Sequence, residues 1–123
     1  VPYDLYLPMI FQGEETSVGI RGFTYGYDFY APRRSVCFHT YAEGENARKR
    51  AKVHHFWDNG RLYQGDGVGA MMRLLGIIGM LPEVDPSKWN HAEEKRYGTG
   101  SVRPLSKFFD TFGIDVVNKK VEQ

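Results

Sequence analysis

A single cysteine, Cys37, stands in the whole chain, so no disulfide can form within it. That excludes the small disulfide-stapled folds of secreted domains and favours a reducing compartment. A cytoplasmic location is therefore the expectation, with the secretory pathway open if an anchor lies upstream. An excess of one charge is also lacking: 16 Lys and Arg against 15 Asp and Glu leave a net +1. Such a balance provides no electrostatic footprint for nucleic acid or an anionic membrane, and neither is an expected partner. No apolar run reaches membrane-spanning length; Leu74 to Leu81 comes nearest and is far too short, so no membrane segment is expected within the chain. Repeats, low-complexity tracts, internal linkers and a signal-peptide pattern are missing too. The chain opens at Val1 and not at methionine, and the expectation is a piece of something longer.

What is present is globular in character: 41% hydrophobic and 25% charged residues, with eight Tyr and eight Phe in 123 positions. That length suits one domain, able to bury roughly two-thirds of its unfolded surface. Val1 to Phe11 (VPYDLYLPMIF) holds two prolines among apolar residues and reads as an extended, buried segment. A helix is expected from Glu14 to Gly26, weakened at Gly19 and Gly22 by roughly 1 kcal/mol each relative to alanine. Close approach to a neighbouring backbone is the expected compensation there. Tyr27 to Ala31 and Val36 to His39 read as short strands. Ala42 to Lys52, with its basic cluster Arg48-Lys49-Arg50, reads as a surface loop or exposed helical turn. Val68 to Met80 is apolar on nearly all sides, a buried helix or two turns broken at Gly76. Pro82 to Tyr97 reads as a loop anchored by Trp89. Ser101 has the chemistry of an N-cap for a last helix carrying Leu105, Phe108, Phe109 and Phe112, which Gly113 ends before a strand over Ile114 to Val117. The order implies a mixed α/β chain with too few strands for a self-sufficient sheet.

Chemistry-bearing residues are few. Glu14 and Glu15 open the first helix, where the helix dipole favours acids by about 0.3–1 kcal/mol. The same carboxylates, beside a glycine that permits close backbone approach, also suit the mouth of a cleft. Spacing does not decide between the two. His39 ends a predicted strand, but a lone imidazole needs further ligands before it holds a metal. Cys37 shares its strand face with His39, yet no third group orients a dyad, and it reads as a core residue. His54 and His55, before Phe56 and Trp57, point different ways on any regular element. Gly98-Thr99-Gly100-Ser101 lacks the lysine and spacing of a P-loop.

Read together, the motifs D-x-Y-L-P at Asp4 to Pro8, F-x-G-E-E at Phe11 to Glu15, G-Y-D-F-Y-A-P at Gly26 to Pro32 and F-H-x-Y at Phe38 to Tyr41 are specific. With Arg73-Leu74-Leu75-Gly76, Tyr97-Gly98-Thr99-Gly100, Arg103 and Leu105, they touch most of the chain. This set resembles the GlcNAc-transferring polypeptide glycosyltransferases, the family with a cytosolic hydroxyproline GlcNAc-transferase of a ubiquitin-ligase adaptor. The interval from Glu14 to His39 is more distantly similar to that between W-G-G-E-N and a metal-binding histidine in mucin-type polypeptide GalNAc transferases.

The resemblance implies the C-terminal portion, residues 1–123, of a GT-A type, Rossmann-like α/β domain that lacks its N-terminal nucleotide-binding half. It implies His39 as a metal ligand, a divalent cation such as Mn2+, and Glu14, with Glu15 as alternate, as the catalytic carboxylate. Gly13, Tyr41 and Arg48 are the implied substrate contacts, a UDP-sugar the donor and a polypeptide hydroxyl the acceptor. The sequence departs from the mucin-type pattern in having Thr40-Tyr41-Ala42 after the histidine and no Asp-x-Asp anywhere; Asp66, between Gly65 and Gly67, has no acidic neighbour. Alternatives of other kinds are a non-catalytic peptide- or glycan-binding module gripping through Tyr25, Tyr27, Phe29 and Tyr30, and a GT-A transferase with another donor sugar.

Overall fold

The computed structural model describes residues 1–39, 41–55 and 66–122; Thr40, Phe56, Trp57 and Gly65 lie outside the described residues. The chain divides into two units, one of Val1–Asp28 with Asp66–Gln123, the other Phe29–Gly65.

In the first unit, helix α1 spans Glu14–Thr24 and buries Ser17, Ile20, Arg21, Gly22, Phe23 and Thr24, so a stripe of three-and-four-residue spacing widens to bury the whole last turn. Helix α3, Gly67–Ile77, repeats that spacing with Ala70, Arg73, Leu74 and Ile77, and the Asp66 side chain caps it by accepting from the Gly69 N–H at 2.9 Å. (Helix α2, Gly44–Arg50, belongs to the second unit.) A short 3-10 turn at Pro86–Lys88 and helix α4, Glu94–Tyr97, follow. Helix α5, Leu105–Thr111, ends before Gly113, whose φ of 61° is the left-handed turn expected of that glycine. The strands β1, Ile114–Asp115, and β2, Lys120–Val121, then pair antiparallel, with Ile114 opposite Val121.

The core joins α1, α3 and α5 through Ile20, Phe23, Leu74, Ile77, Ile78 and Phe108, with Leu7, Ile10, Trp89 and Leu105 packed against it. Phe23 meets Phe108 edge-on at 5.4 Å between ring centroids, the offset geometry aromatic pairs prefer. Beside this core lies a buried ion pair. Arg73 Nε and Nη2 donate to the two oxygens of Asp4 at 2.8 and 3.3 Å, and its other donors reach the carbonyls of Asn90 and Ala92. The Tyr6 ring lies 5.0 Å from the guanidinium, as in a cation–π stack. The C-terminal end of α1 is docked by Thr24, whose hydroxyl accepts from Gly100 N–H at 2.7 Å and whose carbonyl accepts from the N–H groups of Val102 and Arg103.

The second unit contains helix α2, Gly44–Arg50, which has no buried residue and carries a Lys49–Glu45 pair of 3.1 Å. This is the exposed helical turn expected around the basic cluster. No described residue of this unit is buried.

Several expectations are corrected. Tyr27 to Ala31 and Val36 to His39 form no strand; a strand exists through its hydrogen-bonded partner, and the ladder among the described residues is β1 with β2. Cys37 is exposed and not a core residue. Pro104, not Ser101, precedes the last helix as its N-cap; proline's fixed φ starts a helix without a side-chain cap. Helix α3 runs unbroken through Gly76, where a Cβ would lie 2.6 Å from Trp89 Cε2, so this glycine admits a neighbouring ring. At Gly22 the expected close backbone approach is absent, since nothing lies within 4 Å of its Cβ position.

Candidate functional site

Gly13 sits immediately before α1 with φ 89° and ψ −8°, a left-handed conformation that L side chains rarely adopt. Its carbonyl begins the helix by accepting from the Ser17 N–H at 2.8 Å. Glu14 and Glu15 occupy the first turn, where four backbone N–H groups lack helical partners. From there the two carboxylates diverge. Glu15 is exposed, whereas Glu14 is half-buried and its Oε2 is shut off from solvent with no hydrogen-bond partner among the described residues. An unpartnered carboxylate oxygen inside a protein forfeits at least about 1–3 kcal/mol of solvation.

Glu14 lines a cavity of about 170 Å3 with Tyr3, Asp4, Leu7, Ile10, Ser17, Val18 and Arg21. Glu14 and Arg21 stand seven residues apart, two turns along one helix face. Arg21 is 1% exposed, donating from Nη2 to the Pro2 carbonyl at 2.9 Å and from Nε to the Gly98 carbonyl at 3.4 Å. Burial pulls its pKa down, and the nearby Asp4 carboxylate works against that. Asp4 itself is committed to Arg73. The cavity thus combines apolar walls, a fixed cation and one carboxylate oxygen without a donor. Such an oxygen can accept from a hydroxyl.

A second cleft in this unit, about 370 Å3, lies between the Leu5 to Pro8 segment, the start of α3 and the 87–90 segment, with Tyr6 and Trp89 as aromatic walls. A third concavity, about 320 Å3, is lined by Val1, Pro2, Tyr25, Tyr27 and Arg96.

In the second unit His39 is exposed, its ring 4.3 Å from that of Tyr41 at 55°. Tyr41 lines a shallow depression of about 390 Å3 with Asn46, Lys49, Arg50, Val53 and His55. Arg48 is exposed on α2 and is not among those lining residues, whereas its neighbours Lys49 and Arg50 are. Gly13, Glu14 and Glu15 therefore belong to one unit, and His39, Tyr41 and Arg48 to the other. Among the described residues no three His, Cys, Asp or Glu side chains are grouped to hold a metal ion. His39 can supply one imidazole ligand, and a complete coordination set is not formed by these residues.

Sequence reasoning missed Arg21 as a site-lining residue. Its signal was available, since an arginine between Ile20 and Phe23 on a helix that buries both must find buried acceptors. Among the described residues no helix is long and apolar enough to cross a membrane.

No curated protein and no solved structure gives a match to the chain. A family model does: the one described as Glycosyltransferase (GlcNAc) matches residues 1–118. With nearly the full length so matched, the chain belongs to the GlcNAc glycosyltransferase family.

Proposed function

We propose that this chain forms the acceptor side of a GT-A type α/β catalytic domain that transfers GlcNAc from UDP-GlcNAc to a polypeptide hydroxyl, of hydroxyproline, serine or threonine, with retention of configuration. The nucleotide-binding half of such a domain would come from sequence beyond these residues. Family membership supports sugar transfer, and the order of motifs supports the polypeptide acceptor and its resemblance to the hydroxyproline enzyme. The observation that carries the reading is the Glu14 carboxylate, with one oxygen buried and unpartnered at the wall of a cavity.

In this reading Glu14 accepts a hydrogen bond from the acceptor hydroxyl or the sugar, fixing the attacking oxygen against the anomeric carbon. The bond from that carbon to the diphosphate breaks as the bond to the acceptor oxygen forms on the same face, and the acceptor's proton passes to the departing diphosphate oxygen, which keeps the configuration. Gly13, as a proposed substrate contact, acts through its left-handed backbone, which sets the direction from which Glu14 enters the cavity wall. Glu15, exposed, is the weaker candidate for the same role. In the second unit, taken by itself, His39 would contribute one ligand to a divalent cation such as Mn2+, and Tyr41 and Arg48 are the proposed substrate contacts. When bound, the cation supplies Lewis-acid neutralisation of the departing diphosphate.

The test uses the protein carrying its complete catalytic domain, labelled UDP-GlcNAc, and a panel of hydroxyproline, serine and threonine peptides. Glu14→Gln is expected to lower transfer by about a hundredfold without lowering the melting temperature. His39→Ala is expected to weaken metal-dependent turnover. Full turnover by Glu14→Gln would return that carboxylate to a helix-end role, and undiminished metal-dependent transfer by His39→Ala would remove the proposed ligand. A second reading, a peptide-binding surface, is favoured by the exposed Tyr25 and Tyr27 walls of the 320 Å3 concavity; peptide binding that survives while transfer is absent from every donor would select it.

A further inference from the structure

We propose that His91 is a pH-operated latch on the 86–94 segment, closed when its ring carries two protons and released when it loses one. His91 Nδ1 lies 2.8 Å from Glu94 Oε2, and Nε2 lies 2.6 Å from the Pro86 carbonyl oxygen. A carbonyl and a carboxylate only accept. A neutral imidazole has one N–H and one lone pair, so it can satisfy one of these partners and must turn its lone pair on the other. Two acceptors at two ring nitrogens therefore select the imidazolium.

The same ring stacks on Trp89, with centroids 3.8 Å apart and planes 31° from parallel. One side chain thus ties the turn at Pro86, the indole of Trp89 and the start of α4. The charged groups acting on it are Glu94, on its own segment, and Arg73 from α3. Glu94 favours the imidazolium and Arg73 opposes it. The bond to the Pro86 carbonyl and the bond to Glu94 prevail, and the pKa is raised above the ordinary imidazole value. For a raised folded-state pKa the stabilisation is fully present below about 6.5, the unfolded value, and is lost as pH rises through the folded value.

Release acts on one wall of the 370 Å3 cleft, because Ser87, Lys88, Trp89 and Asn90 line it. The inner end of the segment stays held, since Arg73 donates to the carbonyls of Asn90 and Ala92 independently of His91. The outer turn at Pro86 is the part freed, while the Trp89 ring keeps its seat against Gly76 of α3 and loses only its imidazolium neighbour. This inference does not depend on the glycosyltransfer reading.

The test isolates Trp89 as the sole indole with Trp57→Phe, Trp57 being the other of the two tryptophans. Contact with an imidazolium quenches indole emission, so emission should rise on titration from about pH 5 to 9, with a midpoint above about 6.5. Adding Glu94→Gln should move that midpoint down toward about 6.5. Adding His91→Gln should leave emission flat. A flat titration with His91 intact, the same titration without it, or an unmoved midpoint in Glu94→Gln overturns the latch. The His91 ring proton resonances in the unsubstituted protein give a measurement free of folding effects; a midpoint at or below about 6.5 overturns it equally.

Discussion

Arg73 commits its guanidinium fork to four bonds: two to Asp4, one to Asn90 and one to Ala92. Both charged side chains are essentially sealed, at 0% and 2% exposure. Removing one member leaves the other buried without its counter-charge, which costs about 3–5 kcal/mol. Asp4→Ala should therefore lower the urea-unfolding free energy by that amount. The double variant Asp4→Ala with Arg73→Met should recover much of the loss, because a buried pair is not intrinsically better than apolar packing. Lysine at 73 would not substitute, since a point charge cannot serve both the carboxylate and the two carbonyls in one plane. These residues were visible in the sequence as signature motifs, as were Arg103 and Gly98, but their meaning was not. Arg103 holds the Asp28 carboxylate at 2.7 Å and the Tyr27 carbonyl at 3.0 Å, and Gly98 accepts from Arg21. These residues thus maintain the architecture of the first unit. Glu14 was legible as a helix-start acid with a possible second role; which of the two glutamates turns inward depends on packing no spacing encodes.

At the scale of elements, the helices were legible because burial repeats every three and four residues in α1 and α3. The two lost strands were not, because alternation is a property of a segment and pairing is a property of two. Glycines illustrate the same limit. Gly22 and Gly76 both lie inside helices and look alike in the sequence, yet their surroundings differ. Open space surrounds the Cβ position of Gly22, so Gly22→Ala should raise stability by about 0.4–1 kcal/mol through the unfolded state. At Gly76 the new methyl would meet the Trp89 indole, whose Nε1 and Cζ2 lie at 2.7 and 2.8 Å, and Gly76→Ala should lower stability by about 1–3 kcal/mol. Thermal melts of the two variants check both signs. Should the two glycines respond alike, the stacking of Trp89 on α3 is not what fixes the 86–90 segment.

For the whole molecule, the contrast between the two units is one of burial. Among the described residues, the unit of Val1–Asp28 and Asp66–Gln123 carries the buried core, and those of Phe29–Gly65 bury nothing. Local stability follows buried contacts. Amide exchange should therefore be slow in α1 and α3, near the global opening free energy, and show little protection in α2. Equal protection in the three helices would contradict that assignment. The Asp4–Arg73 bond also bears on how the chain is made. Its partners are 69 positions apart, so a ribosome that has released Asp4 must add all of those residues before the guanidinium exists. Phe108, which covers α1 through Phe23, is made later still. Until then the apolar stripe of α1 travels uncovered on a nascent chain, as prey for chaperones and proteases. A chain truncated before α5 lacks Phe108 and should leave Phe23 uncovered.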